Sequence, residues 1–114
     1  MATYDNLPVY RTAYDLFIEI NGIRSGLKRD YKYTLGERLV DASLSLILNI
    51  YKANKEKDKK ELIKQSLSEV EVIRLLFRLL KDIKEISLKR FISLNEVLES
   101  VSKQLTGWLK YQKE

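Results

Sequence analysis

The stretch Val70-Glu71-Val72-Ile73-Arg74-Leu75-Leu76-Phe77-Arg78-Leu79-Leu80-Lys81 decides how this chain folds. It contains neither glycine nor proline and is apolar apart from Glu71 and three cations, a composition that suits a helix. At about 100° per residue, Arg74, Arg78 and Lys81 fall within a narrow arc, while the leucines, Val72, Ile73 and Phe77 cover most of the rest. A surface helix of a globular bundle carries an apolar stripe a little over 100° wide, so an arc of roughly 200° asks for burial on two sides. One side is the chain's own core and the other is a second subunit. The cations then line up on the ribbon left uncovered, repeated once per subunit.

Outward from this segment the same helical spacing continues. The 114 residues include one proline and four glycines, and no stretch alternates with period two, so the pattern predicts an all-α fold. A first helix opens at Leu7-Pro8, carries Tyr10, Ala13, Phe17, Ile20 and Leu27, and weakens at Ser25-Gly26. A second opens in Tyr33-Thr34-Leu35-Gly36-Glu37, where Thr34 and Glu37 have capping-box spacing. Its seam reads Leu35, Leu39, Ala42, Leu46, Asn49, Ala53, with Asn49 as a buried amide that sets register. Val40, Leu44, Ile47, Leu48 and Tyr51 widen the seam, which makes this helix a second candidate for subunit contacts. Asp58 and Glu61 mark the start of the third helix, which runs to about Ile86. Ser87 caps the fourth, with the seam Phe91, Leu94, Leu98, Val101, Leu105, Trp108. Short turns between consecutive helices give an up-down-up-down four-helix bundle, one domain over residues 1–114.

Composition narrows the function. The chain is 45% hydrophobic and 32% charged, with no cysteine and no histidine. The usual general base, thiolate nucleophile and zinc ligands are therefore missing. Glu69 and Glu71 project from different sides of a helix, and Glu96 and Glu99 sit on an exposed flank. These carboxylates read as solvated or ion-paired. Gly22, Gly26, Gly36 and Gly107 are isolated, so no phosphate loop exists. The expectation is a non-enzymatic protein without metal or cofactor. The longest apolar run, Leu44 to Tyr51, is too short for a membrane span and is broken by Ser45 and Asn49; Met1 to Pro8 lacks a secretory apolar region. The reading is cytoplasmic, with no membrane partner.

The balance of 21 Lys+Arg against 16 Asp+Glu gives +5. Along the sequence the surplus sits at Lys52, Lys55, Lys57, Lys59 and Lys60, and at Lys103, Lys110 and Lys113. A lysine-rich turn usually means solvation. Arg74, Arg78 and Lys81 differ because they occupy the polar arc of a segment that otherwise demands burial. Glu71 and Glu85 share that arc and are placed to neutralise part of it. A guanidinium array repeated by an oligomer suits phosphate backbones or an acidic protein surface. Trp108 reads as core or as an interface anchor, and Tyr31, Tyr33 and Tyr51 as covers for helix ends.

Several landmarks carry a family resemblance across nearly the whole chain: Leu7-Pro8-Val9-Tyr10, Tyr33-Thr34-Leu35-Gly36, Ala53-Asn54, Arg74-Leu75 and Leu105-Thr106-Gly107-Trp108-Leu109-Lys110. In order and spacing they resemble the four-helix-bundle proteins that include the accessory variability determinants of diversity-generating retroelements and proteins encoded in intervening sequences of 23S ribosomal RNA genes. In the ribosomal branch the segment corresponding to Asn49-Ile50 continues Ala-Glu-Gly. Here it continues Tyr51-Lys52-Ala53-Asn54, and with the closing Gly107-Trp108-Leu109-Lys110 this is more similar to the retroelement branch.

The resemblance implies a ring-like homo-oligomer, a pentameric barrel of bundles, with a basic surface that binds a reverse transcriptase and nucleic acid, template RNA or cDNA, during mutagenic retrohoming. The basic residues suggested for that role are Arg74, Arg78 and Lys81, with Arg24, Lys28 and Arg38. The alternative is a protein of the ribosomal intervening-sequence type, a structural homo-oligomer or an RNA-binding protein.

Overall fold

Five helices account for most of the chain in the computed structural model, which describes residues 7–112. They are α1 (Pro8–Gly26), α2 (Arg29–Lys32), α3 (Leu35–Lys55), α4 (Lys60–Asp82) and α5 (Leu88–Tyr111). Four long helices pack in sequence order, α1 on α3, α3 on α4 and α4 on α5, and α5 returns to α1. The resulting up-down-up-down bundle measures 45 × 21 × 21 Å. Lys113 lies outside the described residues.

Each long helix supplies one buried row. Ala13, Leu16 and Ile20 of α1 meet Leu39, Leu46 and Ile50 of α3, Ile73, Phe77 and Leu80 of α4, and Leu94, Leu98 and Leu105 of α5, all nearly inaccessible to solvent. Pro8 sits in the first turn of α1, where its missing N–H costs nothing. Ser87 caps α5 by accepting a 3.1 Å hydrogen bond from the Arg90 N–H.

The structure departs from the sequence pattern in four places. Residues 29–32 form a short helix that periodicity over so few residues does not reveal. Thr34 turns back to that helix, donating to the carbonyls of Asp30 at 3.1 Å and Tyr31 at 3.4 Å, so the predicted capping box does not form. Ile50 takes the core position expected for Asn49, which is half-buried on the flank. Finally, α4 ends at Asp82, four residues before the predicted Ile86. There Lys84 adopts a left-handed conformation, φ 65°, and the Glu85 N–H donates to the Leu80 carbonyl at 2.9 Å, reversing the chain.

The apolar arc of α4 is only partly covered within the chain. Val70, Ile73, Leu76, Phe77 and Leu80 are buried, but Leu75 is 59% exposed and Leu79 38%. Arg74 faces α5, so Leu75 and Leu79, on the opposite flank by helical rotation, lie toward α3 and solvent. A second patch comprises Tyr14 and Ile18 of α1 with Leu44 and Leu48 of α3. On α1, Tyr14 and Ile18 stand one turn apart on the face turned away from the buried row, and on α3, Leu44 and Leu48 share the side of Glu37, which is ion-paired to Arg24 of α1. The four therefore occupy the outer α1/α3 surface, away from the α4 flank.

One lysine of the charged turn is structural. The Lys59 ammonium donates to the carbonyls of Ala53 at 2.9 Å, Asn54 at 3.3 Å and Glu56, closing the C-terminus of α3. These carbonyls lie at the negative end of the helix dipole, and among the described residues only that of Ala53 also accepts a backbone N–H, from Glu56 at 3.2 Å. Lys59→Ala should lower stability to urea by about 1–2 kcal/mol, while Lys57→Ala, at an exposed site in the same turn, should stay within about 0.5 kcal/mol of the parent.

Candidate functional site

Arg74 stands at the seam between α4 and α5. Its guanidinium is bracketed by Glu71, 3.2 Å away in its own helix, and by Glu99 of α5. The Glu99 hydrogen bond, followed by contributions from Glu71, raises its pKa, and partial burial opposes the shift. Arg74 is thus a fixed, neutralised cation that pins two helices. Glu71 follows the sequence expectation of local pairing, whereas Glu99 lies 25 residues away and only the bundle brings it near.

The other five candidate residues lie toward one end of the bundle. Arg24 pairs with Glu37 and stacks over the Tyr33 ring at 5.4 Å. Lys81 pairs with Asp82 at 3.3 Å and lies 4.8 Å from the Phe91 ring centroid. Lys28 approaches Glu85 at 3.8 Å. Arg38 and Arg78 are exposed, and neither forms an ion pair or side-chain hydrogen bond with a described residue. Glu85, expected to neutralise the stripe, instead turns its buried carboxylate to the backbone N–H of Lys28, which donates at 2.8 Å. That bond joins the α1–α2 connection to the α4–α5 connection across 57 residues of sequence.

This junction creates a charge distribution that is hidden in the linear order. Residues 24–38 hold five bases and two acids, and residues 78–90 hold the same, a net +6 against +5 for the whole chain. Three of those four acids, Glu37, Asp82 and Glu85, are paired with Arg24, Lys81 and Lys28, and Arg90 reaches Glu19 at 3.9 Å. Among the described residues, Arg29, Lys32, Arg38, Arg78, Lys84 and Lys89 remain without an ion pair. An open depression of about 620 Å³ lies at the α4–α5 turn, with Lys81 and Lys84 on its wall. Sequence reasoning missed Arg29, Lys32, Lys84 and Lys89 because each half of the cluster looks unremarkable alone.

The opposite end is also basic, with six bases and three acids over residues 52–64, but two of its lysines are committed. Lys59 is committed to carbonyls, and Lys55 donates to the Tyr51 hydroxyl at 2.8 Å while lying 4.4 Å from that ring. Among the described residues no group of three or more His, Cys, Asp and Glu is arranged to hold a metal ion. No helix there is long and apolar enough to cross a membrane.

The sequence matches the family model described as bAvd-like over residues 11–112. The chain belongs to the bAvd-like family. That family points to an Avd-type accessory protein. No curated protein matches the sequence. In three dimensions this bAvd-like chain is similar to a crystal structure from Bacteroides thetaiotaomicron VPI-5482, that of a protein with unknown function from the S23 ribosomal protein family. The TM-score is 0.84 at 18% identity, covering 94% of this chain and 98% of that one. This is a likeness of fold, a four-helix bundle.

The Glu85 bond is what places the two basic segments together. Glu85→Ala strands the Lys28 N–H and should cost about 1–3 kcal/mol in urea unfolding. Faster hydrogen exchange at the Lys28 amide, with the amides in the middle of α5 unchanged, would locate the loss at this junction.

Proposed function

We propose that this bAvd-like protein is a non-enzymatic accessory factor of a diversity-generating retroelement, a ring-forming homo-oligomer that holds reverse transcriptase and nucleic acid, template RNA or cDNA, on its basic surface. The observation that carries this reading is the cluster of unpaired cations at one bundle end. Cations without acidic partners repel one another, and a polyanion relieves that repulsion while releasing its own counterions. Arg38 and Arg78 are the candidate residues most available for such contacts. Arg74 supports the surface from behind, since its charge is already balanced by Glu71 and Glu99.

The exposed apolar patches support self-association. The α4 flank with Leu75 and Leu79 and the α1/α3 surface with Tyr14, Ile18, Leu44 and Leu48 are different patches on one subunit. Pairing one patch with the other on the next subunit is a heterologous contact, which closes into a ring when the rotation permits. A pentamer is the proposed ring.

Two measurements test this function. Arg29→Glu with Lys89→Glu places acids in the first turns of α2 and α5, where helices tolerate them. This variant should remain helical and keep its oligomeric mass, yet bind template RNA and reverse transcriptase at least about tenfold more weakly with a shallower salt dependence. Undiminished binding with an unchanged salt slope would remove the basic end from consideration. For assembly, Leu75→Glu with Leu79→Glu should reduce the mass from light scattering to that of a monomer without loss of helical circular dichroism. A wild-type protein that is already monomeric would refute the ring.

A further inference from the structure

The basic end also presents an aromatic ring. Tyr33, which follows α2 and precedes α3, is 63% exposed, although tyrosine in a tight inter-helix connection has core within reach. Tyr31, two residues earlier, takes the packing role and is partly buried against the core. The Arg24 guanidinium lies over the Tyr33 ring at 5.4 Å, and Arg24 is itself held by Glu37. The ring is therefore braced on one side by a cation and left largely in solvent. Lys32 is adjacent in sequence, Arg29 is one turn back, and neither has an ion-pair partner among the described residues.

Lys84 adds a second, independent observation. It occupies the left-handed position just past the end of α4, φ 65°, where glycine carries no steric cost. A long cationic side chain stands at a backbone position that favours having none, and it lines the depression at the α4–α5 turn. The Glu85 bond to Lys28 fixes this turn against the α1–α2 connection, and Tyr33 follows one four-residue helix later.

From this arrangement we infer that the basic end binds single-stranded nucleic acid in preference to duplex, with an unpaired base stacked on Tyr33 and the flanking phosphates held by Arg29, Lys32 and Lys84. A solvated aromatic face among unpaired cations supplies both halves of single-strand recognition, a stacking platform and a backbone track. In a duplex the base faces are already stacked on their neighbours and are not available to the ring. This inference rests on the nucleic-acid reading above and assigns it a strand state.

The test uses fluorescence anisotropy of the full chain with a labelled oligouridine and with an RNA duplex of equal length, at one fixed moderate salt concentration. Wild type should bind the single strand more tightly. Tyr33→Ala should weaken single-strand binding roughly tenfold and leave duplex binding unchanged, while Tyr33→Phe, which keeps the ring, should match wild type. Equal affinity for both strand states, or an unaltered Tyr33→Ala, overturns the strand assignment while leaving nucleic-acid binding standing. If Tyr33→Ala instead weakens capture of reverse transcriptase and not of oligouridine, the ring belongs to a protein contact and the inference fails. Wild type that binds neither oligonucleotide defeats this inference and the nucleic-acid reading together.

Discussion

A single buried carboxylate, Glu85, holds together the two connections at one end of the bundle. Its side chain accepts from the Lys28 amide while that residue's ammonium lies within ion-pair distance. The charged hydrogen bond satisfies a backbone donor at the boundary of α2, a helix too short to stabilise itself. It also ties the left-handed turn after α4 to the start of α2, the short helix that carries Arg29 and Lys32 and is followed by Tyr33. Without such a tie the two basic segments would repel, because each carries a net +3. The interaction therefore does two things at once: it completes the fold and concentrates charge.

That concentration has a physical logic. Residues 52–64, at the opposite end, also carry six bases against three acids, so positive charge collects at both tips of the bundle and the acids lie mostly along its middle; the end held by Glu85 is the one where two separate segments, each +3, are brought together. The acids present at that end are mostly committed to particular cations, which fixes those side chains and leaves the remaining ones to project. Arg74 shows the contrasting arrangement one turn inward. Bracketed by two glutamates from two helices, it contributes cohesion between α4 and α5 and little net field. Its pKa is raised above a value already beyond the working range, so its protonation, and the stability it lends, does not vary with pH near neutrality.

The fold was legible because it rests on periodic burial. Leu94, Leu98, Val101 and Leu105 repeat as one seam and are all buried, and Ser87 reads as a cap and acts as one. The misreadings occur where local chemistry has competing partners. Thr34 has the spacing of a capping box, but a short preceding helix offers it carbonyls, and Glu37 finds Arg24 across the interface. Asn49 and Ile50 differ by one helical step, and the apolar side chain wins the core. The site was less legible for a different reason. Arg38 and Arg78 are recognisable as exposed cations from the helical pattern, but their relation to Lys84 and Lys89 depends on antiparallel topology, to which composition along the chain is blind. Lys59 makes the same point in reverse, since a lysine in a charged run looks solvated until its three carbonyl partners are seen.

Geometry also connects the apolar flanks to the basic end. The patches on α4 and on α1/α3 run along the sides of a bundle 45 Å long and 21 Å wide, whereas the cation cluster lies at its tip. Contacts through the sides would leave the tip free, so the proposed association and polyanion binding would not compete for the same surface. In a cyclic assembly every subunit is related by rotation about one axis, and bundles aligned with that axis place all basic tips on the same rim. In the proposed ring the tips would act together: a nucleic acid crossing the rim would meet several of them, each further contact forming at the high effective concentration set by the first. In such a ring, a modest charge on one subunit would become a strong, salt-sensitive field on the assembly. Under the proposed function the wide apolar arc of α4 and the unpaired cations near its end would serve one purpose, the arc multiplying what the cations contribute singly.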